Sequence, residues 1–272
     1  MPLFTRLQNC LVRVDPTWAH WCEVGQARTS RARAGYIAAY LLPGVFAYAL
    51  INVESMFRTG VNLFAVDPLQ YQYVLFILFT WIWHLAFPLA MLRWRDGLNW
   101  HEVAEFLSLH RFQLREPLVI APLAFIASVV LSLPWMLTIY TPLQIWLSSL
   151  PSLAIPPHSM FASAEAFYGA SPALLVLMLM LIGNFIGEEV YFRGYLMKKT
   201  AFLGHANWLV GSTLFALYHL WQIPQTWPLL VPMLFFGLLM QARKNLYALI
   251  AFHTLFNVFG YPIYNLWLGL GA

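Results

Sequence analysis

Apolar stretches long enough, or nearly long enough, to cross a hydrocarbon layer recur along this chain, and that repetition leaves little choice of fold. A transmembrane helix takes about 20 predominantly apolar residues. The stretches run 35–56, 71–92, 117–140, 172–197, 206–221, 227–241 and 246–268, the fifth and sixth being short. In lipid the backbone must satisfy its own hydrogen bonds, so such runs become helices. The expected fold is all-α, a polytopic membrane helix bundle of about seven transmembrane helices, with eight as the alternative count. Composition agrees, with 61% hydrophobic and 10% charged residues, where a soluble domain carries about 25% charged.

Lys and Arg counts in the loops set the orientation. Arg6, Arg13, Arg28, Arg31 and Arg33 precede the first stretch; Arg93, Arg95, Arg111 and Arg115 follow the second. Arg193, Lys198 and Lys199 lie at or just past the end of the fourth, and Arg243 and Lys244 follow the sixth. Of the 15 basic residues only Arg58 falls on the other side of a seven-span arrangement with the N-terminus inside. The reading is therefore a multi-pass protein with a cytoplasmic N-terminus. Short loops without an Asn-x-Ser/Thr acceptor suit a bacterial inner (plasma) membrane. The net charge of +4 is spread over separate loops, so nucleic acid is not expected as a partner.

Three regions are expected. Residues 1–34 form a cytoplasmic or interfacial segment, with Trp18, Trp21 and the arginines lying on the membrane surface and Cys10 and Cys22 as free thiols. Residues 35–171 hold the first transmembrane helices and interfacial loops; 96–116 reads as an amphipathic surface helix, with partner docking as its alternative. The apolar part of the following loop, 143–155, is too short to span and reads as interfacial or re-entrant. Residues 172–272 hold the last four helices, the expected catalytic core.

In that core the sequence Gly183-Asn184-Phe185-Ile186-Gly187-Glu188-Glu189-Val190-Tyr191-Phe192-Arg193 ends an apolar run with two carboxylates. A charge in hydrocarbon costs several kcal/mol unless it is paired or solvated. Gly183 and Gly187 form a GxxxG step that admits a neighbouring helix closely. Glu189 and Arg193, four apart, form an intrahelical pair. Glu188 points about 100° away and has no local cation; Asn184 precedes it by one turn on its own face. At about 1.5 Å per residue, Glu188, His219, His253 and Asn257 all fall roughly 12–18 Å from their helix ends, in one slab. His253 and Asn257, four apart, can address one atom together. A desolvated glutamate suits general-base work, and His253 and Asn257 suit an oxyanion. No Ser, Cys or Asp stands among them as a nucleophile, so water activated by Glu188 is the simplest chemistry. His84 reads as a helix–helix hydrogen-bonding residue, and His20, His101, His110, His158 and His205 as surface residues.

The pattern Glu188-Glu189-x-x-x-Arg193, Phe215-x-x-x-His219 and His253-x-x-x-Asn257, on successive helices, resembles the motifs of the CPBP family of CAAX prenyl proteases and bacteriocin-processing or Abi-type proteins. The resemblance covers about 172–268. It implies an intramembrane glutamate protease: Glu188 and His219 would activate water, His253 and Asn257 would form the oxyanion hole, and Arg193 with Glu189 would support the first motif. Membrane lipid and a membrane-bound or lipidated peptide or protein substrate are the implied partners, with no cofactor or metal. Two alternatives stand beside it. Glu188, His219 and His253 could ligate zinc in a metalloprotease, or the buried Glu–His cluster could serve a transporter or a non-catalytic scaffold.

Overall fold

The computed structural model describes residues 15–27, 32–52, 68–151, 174–219, 230–260 and 263. Among them the ordered elements are all helical. They are α1 (Pro16–Ala27), α2 (Arg33–Asn52), α3 (Pro68–Phe79 through Met91–Arg95) and α4 (Trp100–Phe106). Then come α5 (Glu116–Ile120 through Thr141–Ser148), α6 (Leu174–Leu181 through Met197–Lys199) and a 3-10 stretch, Ala201–Ala206. The last three are α7 (Asn207–Tyr218), α8 (Leu230–Arg243) and α9 (Leu246–Leu255 through Phe256–Gly260). Among the described residues two helices are long and apolar enough to cross a membrane, Gln72–Arg95 in α3 and Glu116–Leu147 in α5; Leu230–Arg243 and Leu246–Gly260 are shorter apolar helices.

α6 is the post around which the others stand. Every residue from Gly187 to Thr200 is buried, and α2, α3 and α9 pack on it, with α1 against its last turn. The GxxxG step explains how α3 comes so close. A Cβ on Gly183 would meet the Thr80 side chain and Trp81, and one on Gly187 would lie 3.0 Å from the His84 Cβ. Only glycine leaves room for that contact. α7 lies between α2 and α8, and α9 packs against α5 and α8. A buried bidentate pair ties the start of α5 to the end of α8: Arg243 Nη2 and Nε meet Glu116 Oε1 and Oε2 at 2.5 and 3.1 Å.

The basic-rich ends differ from expectation in informative ways. α5 does not stop at Tyr140 but runs on to Ser148, so the first half of the expected interfacial 143–155 extends that helix. Trp18 and Trp21 are not surface anchors; both are buried, Trp21 edge-on to Phe106 and Trp18 under the Lys198 ammonium at 4.5 Å. The expected surface helix at 96–116 shrinks to the seven residues of α4, started by an Asn99–Glu102 capping box and facing the core with Val103 and Phe106. The preceding α3 closes at Gly97, whose φ of +70° lets the chain turn in the left-handed region.

Lys198 and Lys199 are interior residues rather than loop charges. Lys198 donates to the Ser108 hydroxyl at 2.8 Å and to the Phe106 carbonyl, and Lys199 meets Asp96 at 2.5 Å. The α6 end is thereby tied to α4 and to the turn after α3. Asp15 caps α1, accepting from the Thr17 amide and hydroxyl at 3.0 and 2.6 Å. Burial would raise the Asp15 carboxyl, but the Thr17 bonds and the charges of Arg111 and His110 outweigh it and hold it below its usual range. His110 is thus not a plain surface residue: it is half-buried and 4.0 Å from Asp15. His20, His101 and His205 are exposed, and His158 lies outside the described residues.

Candidate active site

Glu188 and Glu189 sit side by side on α6 and turn to different neighbours, as consecutive helical residues must. Both are buried, at 1% and 0% exposure. Glu189 meets Arg193 Nη1 at 3.2 Å, the pair expected from spacing. Arg193 is itself buried and sandwiched, its guanidinium carbon 3.8 Å from the Phe215 ring centre and 4.6 Å from that of Phe236. A guanidinium on an aromatic face gains cation–π attraction, which stiffens the pair in a dry setting.

The Arg193 contact is half of what Glu189 does. Its same oxygen, Oε1, takes a second bond, from His253 Nδ1 at 2.8 Å. That bond crosses from α9 to α6 and was not legible in the spacing. A carboxylate oxygen already receiving an arginine proton accepts, so Nδ1 of His253 carries a proton. The other ring nitrogen, Nε2, then faces Glu188 Oε2 at 3.9 Å. Neutral, Nε2 presents a lone pair; protonated, it becomes a donor beside a carboxylate. The imidazole therefore stands between two glutamates, oriented by one and presented to the other, an arrangement that fixes tautomer and direction.

Glu188 has a partner that sequence reasoning missed. The Tyr218 hydroxyl, at the end of α7, donates to Glu188 Oε1 at 3.1 Å. The signal lay in the sequence: a Tyr hydroxyl in an apolar interior needs a polar partner, and Tyr218 immediately precedes His219. Glu188 Oε2, the oxygen toward His253, has no hydrogen-bond partner among the described residues.

His219, the cap residue of α7, is buried, and its Nδ1 lies 2.8 Å from the Phe215 carbonyl. A carbonyl only accepts, so Nδ1 donates and the neutral ring offers Nε2 as an acceptor. His219 packs edge-on to Phe215 and Tyr218, at 4.6 and 4.7 Å between ring centres. Phe215 also lies 6.5 Å from the His253 ring, so the three motifs share one aromatic cluster. Asn257 stands apart. It is exposed, and its amide donates to the His253 carbonyl of its own helix at 3.3 Å. Asn184 is half-buried, one turn before Glu188.

His84 departs from the helix–helix hydrogen bond expected of it. It is wholly buried, yet neither ring nitrogen has a hydrogen-bond partner among the described residues. Also among those residues, no group of three or more His, Cys, Asp or Glu side chains converges to hold a metal ion. A zinc site needs its donors within about 2.0–2.3 Å of one point, and Glu188, His219 and His253 do not fit it as they stand.

Comparison with known proteins adds one finding. Residues 170–259 match the family model described as type II CAAX prenyl endopeptidase Rce1-like. That segment resembles the Rce1-like family. It contains Glu188, Glu189, Arg193, Tyr218, His219, His253 and Asn257. The family is one of membrane-embedded CAAX-type proteases, of the CPBP group that the motifs resemble. No curated protein and no solved structure matches the chain.

Proposed function

We propose that this chain is an intramembrane endopeptidase that hydrolyses a peptide bond of a membrane-associated or lipidated peptide or protein. One observation carries the reading: a buried glutamate, Glu188, is held by Tyr218 on one oxygen and faces His253 across 3.9 Å with the other, inside the Rce1-like segment. Glu188 takes a proton from water, and the resulting hydroxide attacks the substrate carbonyl. His219, with Nδ1 committed to the Phe215 carbonyl, assists through Nε2 as a second proton acceptor. His253 stabilises the carbonyl oxygen as charge develops there, which with Nδ1 bonded to Glu189 it does in its protonated form. Asn257 joins it once its amide turns from the His253 carbonyl toward the substrate. Glu189 and Arg193 orient His253, and Asn184 supports the Glu188 turn.

As written the reaction needs no cofactor. The surrounding architecture that suits it is the seven-span bundle, N-terminus cytoplasmic, multi-pass in a bacterial inner membrane, with catalytic residues in the last four helices and bilayer lipid as solvent. Substrate would be drawn from the membrane rather than from water, and nucleic acid has no part.

The test is a comparison of strains expressing wild-type and Glu188→Gln protein, by mass spectrometry of membrane peptides and proteins. The expected result is a small set of substrates that accumulate uncleaved in the variant, and cleavage by purified wild-type protein that survives thorough chelation. Activity lost to chelation and restored by Zn(II) would favour a metalloprotease. No accumulation, together with Glu188-dependent solute flux, would favour a transporter.

A further inference from the structure

The hydrolytic reading uses two histidines, and a third lies against the same site. His84, on α3, is seated over Gly187, the residue before Glu188. Its ring is enclosed by Phe79, Tyr191, Phe192 and Tyr218, with ring centres 5.3, 5.5, 5.8 and 5.7 Å away. Tyr191 and Phe192 are on α6 within a turn of Glu188, and Tyr218 is the residue that donates to Glu188. His84 is 0% exposed and both its ring nitrogens lack a partner among the described residues.

An aromatic box of this kind is filled at least as well by phenylalanine. Stranding two polar atoms where an apolar ring of like shape would fit is destabilising. Groups held at such a cost cluster where function needs them. The nearest functional change is at Tyr218. While Glu188 is ionised, it takes the Tyr218 hydroxyl proton as a strong acceptor. Once Glu188 has received a proton from water, it is a carboxylic acid, with an O–H of its own to donate and weaker acceptor oxygens. The Tyr218 hydroxyl is then held less strongly and can turn to a better acceptor in the same box.

We propose that His84 is a positioning residue of the hydrolytic site, whose imidazole nitrogen receives the Tyr218 hydroxyl when Glu188 is protonated. The proton itself goes from water to Glu188 and on to the leaving amine; none is transferred through His84. Tyr191 is otherwise engaged, its hydroxyl donating to the Ala39 carbonyl and accepting from Trp83 Nε1 at 2.8 and 3.1 Å. The inference rests on the hydrolytic reading of Glu188.

The experiment is a double-mutant cycle of His84→Phe and Tyr218→Phe, with His84→Gln as the conservative variant, measured as kcat, KM and thermal stability in proteoliposomes. His84→Phe should be at least as stable as wild type, with KM within about twofold and kcat lower by about tenfold, the worth of one hydrogen bond in a transition state. His84→Gln should recover part of that loss, and it carries the test by itself if His84→Phe does not fold. In the Tyr218→Phe background, His84→Phe should cost nothing further, because the hydroxyl it serves is gone. Wild-type kcat in His84→Phe overturns the proposal, as do fully additive losses in the double variant. Failure of the underlying reading looks different, because Glu188→Gln would then remain active whatever happens at His84.

Discussion

Removing one oxygen atom, in Tyr218→Phe, isolates the contact that holds Glu188. The Tyr218 ring packs against Phe192 at 4.9 Å, His219 at 4.7 Å and Phe215 at 5.9 Å, and phenylalanine keeps all three contacts. What is lost is the 3.1 Å hydroxyl bond to Glu188 Oε1. That bond fixes the carboxylate so that Oε2 is turned to His253. A hydrogen bond to a charged group contributes about 1.5–3 kcal/mol. At about 1.4 kcal/mol per decade, kcat should fall by roughly 10- to 150-fold, with KM little changed because the contact is not to substrate. The assay is cleavage of a lipidated peptide in proteoliposomes, with thermal unfolding of the same preparation as the control for folding. A variant with kcat within about twofold of wild type would refute the reasoning, and so would a loss that tracks stability alone.

Two further perturbations read the scaffold. Glu116→Ala removes the bidentate carboxylate from a buried Arg243 and should cost about 3–5 kcal/mol, while Glu116→Met with Arg243→Met should regain most of it; denaturant or thermal unfolding in detergent checks both. Asp15→Ala removes the α1 cap and should cost about 1 kcal/mol at neutral pH. Because the folded carboxyl is held below its usual range, its contribution is fully present above the unfolded value and is lost as pH falls through the folded one. Melting temperatures of wild type and Asp15→Ala should therefore differ at pH 7 and converge below about pH 4.

Much of the site could be read from intervals along one helix. The Glu189–Arg193 pair and the close approach at Gly183 and Gly187 depend on spacing within α6, and the structure shows both. What could not be read were contacts set by how helices face one another. In a soluble helix an apolar stripe marks the core side, but in lipid both sides are apolar. Val45, Leu131 and Ile145 are exposed while Phe215 and Phe252 are buried, and residue type does not separate them. The Glu189–His253 bond, the Tyr218 hydroxyl on Glu188 and the aromatic box around His84 all cross between helices, so spacing was silent on them. Trp18, Trp21, Lys198 and Lys199 misled for a related reason. Interfacial tryptophans and flanking lysines are the usual markers of a membrane edge, whereas here they are folded between α1, α4 and the end of α6. Asn257 shows the converse: four residues from His253, it shares that helix face, yet its amide bonds to the backbone below it.

The central claim is that Glu188, and not its neighbour, activates water. It is met most directly by single-turnover cleavage of a lipidated peptide by wild type, Glu188→Gln and Glu189→Gln in matched proteoliposomes. Glu188→Gln should insert and fold like wild type and give no detectable cleavage, while Glu189→Gln should retain a slow residual rate through a loosened His253. Cleavage by Glu188→Gln at the wild-type rate would contradict the claim.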